Sequence, residues 1–398
     1  MIRILALAVA ALATALPAHA QKKYGPGVSD AEIRIGQTMP YSGPASAYGV
    51  IGKSQKAFFD MINEQGGING RKINFISLDD GYNPARTVEQ TRRLVEQENV
   101  LLLFQSLGTP TNSAIHKYVN AKKVPHVLIA TGASKWADPK NYPWTMGFNP
   151  SYQVEARIYA QHILRNSPNG KVAVLYQNDD FGKDYLAGLK SGLGPKASMI
   201  VREVSYEVTD PTVDSQVVDL RGSGADVLLT FATPKFAAQA IRKVGDLGWK
   251  PAHYLTVVSA SVGAVLAPAG LDKSTGLITA LYLVDPTDPE GSRLPGMKAW
   301  SEWMQKYNKG ADPNDQFHVN AYAAAWLLTE ILKACGDDLT RENVMKQAAS
   351  LKDVQIPVVI PGIRVNTTAS DFATFGEMQL GRFDGKRWVP FGELLSGR

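Results

Sequence analysis

The strongest constraint in this sequence is the regular exchange of β-rich and helical segments from residue 32 to the tail. "EIRIGQTM" reads as a strand. In "IGKSQKAFFDMINEQGG", Ile51, Ser54, Ala57, Phe58, Met61 and Ile62 share one helical face, and Gly66-Gly67 stops the helix. "KINFISL" is the next strand. Asn83-Pro84 then caps a helix carrying Val88, Thr91, Leu94 and Val95, with proline at its first position. Residues 100–104, "VLLLF", form a short unbroken apolar run of the kind buried on both faces of a sheet. Thr109-Pro110 repeats the cap-and-proline device, and "PHVLIA" closes the series. After "WTMGFNPSYQ" a second series begins, in which "KVAVLY", "MIVREVSY", "DVLLTF" and "HYLTVV" interleave with helices near 182–192, 214–221 and 234–246. Such alternation predicts an α/β fold with parallel sheets and right-handed crossovers.

At 398 residues the chain exceeds one typical domain of about 100–200 residues, so two doubly wound α/β lobes are expected. "GLITALYLV" reads as a strand returning to the first lobe, to which helices near 295–307, 316–333 and 340–350 are added. The tail "MQLGRFDGKRWVPFGEL" predicts a hairpin with a two-residue turn at Asp384-Gly385. The expected boundaries are 21–148 plus 277–360 for lobe one and 149–276 plus 361–398 for lobe two, joined by a three-segment hinge.

Residues 1–20, "MIRILALAVAALATALPAHA", combine Arg3, an apolar run from Ile4 to Leu16 and Ala18-His19-Ala20, which predicts a secretory signal cleaved after Ala20. That run is shorter than the roughly 20 apolar residues that span a bilayer, and the later stretch "AYAAAWLLTEIL" is interrupted by Glu330. The single cysteine, Cys335, excludes an intramolecular disulfide, and Gln21 at the expected new terminus excludes a lipidated cysteine there. An exported, soluble monomer is expected. Net charge is +5, or +4 once Arg3 leaves, and it is mixed along the chain without the clustered basic face that nucleic-acid binding needs.

Enzyme signatures are absent. There is no G-x-S-x-G elbow, no G-x-x-x-x-G-K-[ST] phosphate loop and no G-x-G-x-x-G after the first strand. The six histidines, His19, His116, His126, His162, His253 and His318, lie far apart without H-E-x-x-H spacing or cysteine partners, so neither metal nor cofactor is expected. Asp79-Asp80 reads as capping of the turn toward Asn83 rather than as a catalytic pair.

"YSGPASAYG", then "INEQGGINGRKINFISLDDGYNPARTVEQTRRLV", "FQSLGTPTNSAIHKYV", "HVLIATGAS", "VAVLYQNDDFGKDYLAGLK" and "AAQAIRKVGDLGW" together resemble the leucine/isoleucine/valine-binding protein family, over nearly all of the chain past residue 20. The resemblance implies a type I periplasmic binding fold whose two lobes close like a flytrap on a small molecule. It also implies a periplasmic location and docking on an ABC permease in the inner membrane. Carried over by position, Tyr48 matches a ring packed on the ligand. Ser106, beside Gln105, matches a serine on the ligand carboxylate, with Leu107 and Gly108 offering backbone N–H groups at a helix start. Gly132, Ala133 and Ser134 match the rest of that grip, and Phe181 matches an aromatic closing from lobe two. Thr233, Val258 and Ser259 are expected on the same second-lobe face, with Phe231 and Phe236 as further cleft candidates. The family's disulfide positions are Tyr82 and Gln105 here.

One departure bears on the ligand. Amino-acid binders of the family pair the ligand ammonium with an acid just after the strand reading "HYLTVV", yet no Asp or Glu occurs from Leu247 to Leu271. A buried ammonium without a partner costs several kcal/mol. Either Asp179, Asp180 or Asp210 substitutes, or the ligand has no ammonium. The second is expected: a small carboxylate of the benzoate or cinnamate type, stacked by Tyr41, Tyr48 and Phe181. The alternatives are a branched-chain amino acid, a small amide or urea and, from other classes, a ligand-sensing domain or an exported hydrolase.

Overall fold

The computed structural model describes residues 22–397, so the expected signal segment lies outside the described residues. After the short strand β1 (Lys23–Tyr24), the chain runs β2 (Glu32–Met39), α1 (Gly49–Glu64), β3 (Lys72–Asp79), α2 (Pro84–Arg92), β4 (Leu102–Phe104), α3 (Thr109–Ala121), β5 (His126–Ile129) and β6 (Thr145–Gly147). Strands β2 to β6 form a parallel sheet in the spatial order β3-β2-β4-β5-β6. Every residue of β4 and β5 is buried, as their unbroken apolar runs require. Asn83 Oδ1 accepts the N–H groups of Ala85 and Arg86 at 2.9 and 3.2 Å, a cap worth about 1 kcal/mol. At α3 the device differs: Gly108 is the capping residue, and the Thr109 hydroxyl turns to that of Thr131 at 2.6 Å.

The second series is α4 (Tyr152–Asn166), β7 (Val172–Gln177), α5 (Asp180–Leu193), β8 (Ile200–Tyr206), α6 (Asp214–Gly222), β9 (Val227–Phe231), α7 (Pro234–Asp246), β10 (Ala252–Leu255), the short helices α8 (Ala267–Ala269) and α9 (Leu271–Ser274), and β11 (Ile278–Leu281). Then α10 (Pro295–Tyr307) and α11 (Gln316–Cys335) pack against α1, β12 (Asp338–Leu339) pairs with β1, and α12 (Arg341–Ala348) lies on α11. The chain ends in β13 (Glu377–Phe383) and β14 (Trp388–Ser396), and the second sheet has the order β14-β13-β11-β10-β9-β7-β8.

Three expectations are corrected. The strand in "GLITALYLV" does not return to the first sheet: it pairs parallel with β10 and antiparallel with β13. Only residues 275–277 separate it from α9, a tether of about 10 Å at full stretch, which keeps it in the sheet it follows. The chain leaves lobe two after Leu281 rather than before residue 277. Residues 361–367 likewise stay beside α12, where Thr367 donates its N–H to Leu351 and its hydroxyl to Ala348. Finally, the hairpin loop has four residues, since Phe383 faces Trp388 and Asp384 Oδ1 accepts the N–H groups of Lys386 and Arg387.

Three connecting segments meet between the lobes. Phe375 packs on Phe148 and Tyr282 with ring centroids 5.4 and 5.0 Å away, and the Thr374 hydroxyl donates to the Phe148 carbonyl at 2.6 Å. Leu283 bridges to Val359. The hinge is therefore a packed bundle of three strands of chain.

Candidate functional site

A cavity lies where the carboxyl ends of the two sheets face each other, the usual ligand position in open α/β sheets. Side chains of both lobes line it, and the lobes touch across it through Tyr48 with Val258 and Ser134 with Asp184. Six aromatic rings line it: Tyr48, Tyr82 and Phe317 from the first lobe, Tyr152 and Phe181 from the second, and Tyr282 from the hinge. Tyr48 lies 5.0 Å from Phe317, and Phe181 packs edge-on to Tyr152 at 5.2 Å. Tyr152 stacks on Tyr185 at 4.5 Å, which in turn stacks on Phe231 at 4.6 Å, so the second-lobe wall is braced from behind.

Local backbone geometry sets these rings. Tyr82 has φ +58°, a conformation uncommon for a bulky residue, in the turn that Asp80 closes by accepting the Tyr82 N–H at 2.9 Å. Gly108, with φ +101°, lets that ring approach: a Cβ there would sit 2.5 Å from Tyr82 Cε2. Across the cleft the Tyr48 hydroxyl donates to the Val258 carbonyl at 2.9 Å. Burial pushes the Tyr48 and Tyr82 phenols well above their usual range, so both remain neutral donors.

The polar lining is neutral. Thr109, Asn149, Thr233, Gln316 and Asn320 reach the cavity, and no Asp, Glu, Lys, Arg or His does so among the described residues. Asn320 donates to the Tyr282 hydroxyl at 2.8 Å, and the Thr233 hydroxyl to Gln177 at 3.2 Å. Among the described lining residues, two buried polar atoms have no partner within the protein: Gln316 Nε2 and Asn149 Oδ1. Gln316 opens α11 next to Asp315, which caps that helix by accepting the Phe317 N–H at 2.9 Å and accepts the Ser261 hydroxyl at 2.8 Å. Glu155 is the acid just behind the wall. It accepts the Tyr159 and Tyr185 hydroxyls at 2.6 Å each and the Val257 N–H at 2.8 Å, and burial raises it to about 7.

The structure brings Tyr48, Leu107, Phe181, Thr233 and Val258 to the cavity. Gln105, Ser106, Gly132, Ala133, Ser134 and Ser259 are not in its lining. Gln105 is fully buried with φ +52° and its carbonyl accepts from Gln37. Ser106 Oγ accepts the Thr38 N–H at 3.4 Å, tying the end of β4 to β2. A Cβ on Gly132 would sit 2.1 Å from the Pro150 carbonyl, and its own carbonyl accepts the Tyr152 N–H. Ala133 is buried with its N–H on Thr131, and the Ser259 hydroxyl donates to Ala232 at 2.6 Å. Ser134 holds Asp184 of the opposite lobe.

Other candidates are also spoken for. Tyr41 bonds Ser77 at 2.6 Å, while Phe231 and Phe236 are core. Asp179 caps α5, Asp180 pairs with Lys135 at 2.5 Å, and Asp210 accepts the Glu207 N–H. Sequence reasoning missed Tyr152, Tyr282, Gln316, Phe317 and Asn320. The Asp315-Gln316 helix start was readable as a cap, but nothing local said that it faced the cleft.

The profile of the periplasmic binding protein family matches residues 32–387. The chain is 27% identical over 372 residues to Leu/Ile/Val-binding protein homolog 7 of Brucella abortus (strain 2308), covering 88% of this chain and 86% of that protein. A branched-chain amino acid ABC transporter protein from Thermus thermophilus with bound valine superposes with a TM-score of 0.83 at 18% identity, covering 92% of this chain and 96% of that one. The fatty acid ABC transporter substrate-binding protein from Thermomonospora curvata superposes with a TM-score of 0.77 at 22% identity, covering 94% and 95%. This chain belongs to the periplasmic binding protein family and is similar to Leu/Ile/Val-binding protein homologues.

Proposed function

We propose that this protein captures a small carboxylic acid without an α-amino group, an aromatic acid of the benzoate or cinnamate type, and hands it to an inner-membrane ABC permease. The observation that carries this reading is the charge-free cavity: six rings surround it and no acidic side chain reaches it among the described residues. An ammonium enclosed there would lose its hydration without gaining a counter-charge, a loss that removes useful affinity. Rings offer large apolar contact and offset stacking to a planar ligand, worth about 0.5–1.5 kcal/mol per pair beyond area burial.

A carboxylate fares better. The start of α3 at Gly108 and Thr109 lines the cavity, where a helix N-terminus favours an anion, and Gln316 Nε2 is a donor with no protein partner. Ligands with and without an amino group both occur on this fold, as the valine-bound and fatty-acid neighbours show, so the lining rather than the fold has to choose. A ligand adds to closure only by as much as it binds the closed form more tightly than the open one. A thermal-shift screen tests the reading: benzoate or cinnamate derivatives raise the melting temperature and leucine or valine do not, whereas stabilisation by leucine or valine alone refutes it.

A further inference from the structure

Ser134 lies in the turn Ser134–Ala137 after the last residues of β5, on the first lobe, and Asp184 lies on α5 of the second. The two meet through both oxygens of the carboxylate. The Ser134 N–H donates to Asp184 Oδ2 at 2.8 Å and its hydroxyl donates to Oδ1 at 2.8 Å. Gln153 Nε2, from α4, adds a third donor to Oδ1 at 2.7 Å. One turn earlier on α5, Asp180 receives Lys135 Nζ at 2.5 Å. An amide and a hydroxyl gripping one carboxylate is a strong, charge-assisted arrangement. Here the anion is supplied by the chain itself, outside the cavity lining and at the rim of the cleft.

We infer that Asp184 is an internal clasp: its carboxylate occupies Ser134 in place of a ligand's, so the lobes close without a ligand and no ligand acid group is held at Ser134. The inference does not rest on the identity of the solute. It follows that closure and recognition are handled by different residues, Asp184 with Ser134 for the first and the cavity for the second.

Spin labels on Lys53→Cys of α1 and Val218→Cys of α6, both exposed, report the lobe-to-lobe distance. The native Cys335 is buried with its thiol pushed up to about 12 by burial, so it does not compete for label. In protein stripped of retained solutes by unfolding and refolding, the short-distance population dominates. Asp184→Ala lowers the closed-to-open ratio about tenfold, and Ser134→Ala, which keeps the amide, falls between. Acetate, used as the probe, restores closure in D184A and leaves the parent unchanged, while chloride at equal ionic strength does not. An open distribution in the parent, an unchanged one in D184A, or equal recovery with chloride overturns the inference.

Discussion

The cavity and its rim are built from opposite materials. Inside are rings, aliphatic side chains and neutral amides; at the rim, Asp180, Asp184, Lys135 and Ser134 join the lobes through charged contacts. A two-lobed protein can thus join its lobes through charged contacts at the rim while its cavity stays uncharged. A charged pocket would bind its ligand through one decisive ion pair. A neutral one depends on shape, ring contact and a few donors, and it rejects cations through the cost of dehydrating them.

The contrast between cavity and rim is lost most completely when a charge is moved inward. Val258→Asp, on the second-lobe wall, sets a carboxylate against an anionic ligand and costs about 3–5 kcal/mol of affinity for an aromatic acid, read by calorimetry. Next comes pH. Burial holds Glu155 at about 7 against an ordinary 4.5. The folded state thus keeps a proton that the unfolded chain releases, so stability declines as pH rises from about 4.5 to about 7, by about 3 kcal/mol at most, and flattens above. Asp285 and Asp315, raised to about 6 by burial, act in the same direction but finish earlier. Urea unfolding at stepped pH shows this decline, and Glu155→Gln flattens it above pH 6.

Smaller changes sharpen the same contrast. Phe181→Ala removes a ring braced by Tyr152 and Tyr185 and lowers aromatic-acid affinity by about 2–3 kcal/mol, again by calorimetry. Gln316→Leu deletes the unpartnered donor and costs about 1 kcal/mol for an acid, while affinity for the neutral amide of the same acid changes less. At the rim, Lys135→Ala changes unfolding stability by no more than about 0.5 kcal/mol, because its partner Asp180 is largely exposed.

Much of the architecture was legible in the residues. The strand over "EIRIGQTM" matches β2 end to end, and the Asn83 cap forms as its side chain dictates. Sheet membership was less legible: "ITAL" declares a buried strand but not its neighbours, which the short tether after α9 decides. At the site, the family resemblance pointed to Tyr48 and Phe181, and both line the cavity. Ser106 and Ser134 have the same hydroxyl and the same kind of loop, yet one ties two strands and the other holds Asp184. A small hydroxyl satisfies whichever partner the tertiary structure brings. The hinge ring Tyr282 and the α11 residues Gln316, Phe317 and Asn320 come from the third pass of the chain, and only the assembled lobes show which face they present.

The most direct measurement pairs two solutes that differ only by an amino group. In calorimetric titrations, 3-phenylpropanoate binds and phenylalanine shows no heat above dilution, if the closed cleft has no counter-charge for an ammonium. Binding of phenylalanine as tight as that of 3-phenylpropanoate, or tighter, contradicts a charge-free cavity as the basis of selection.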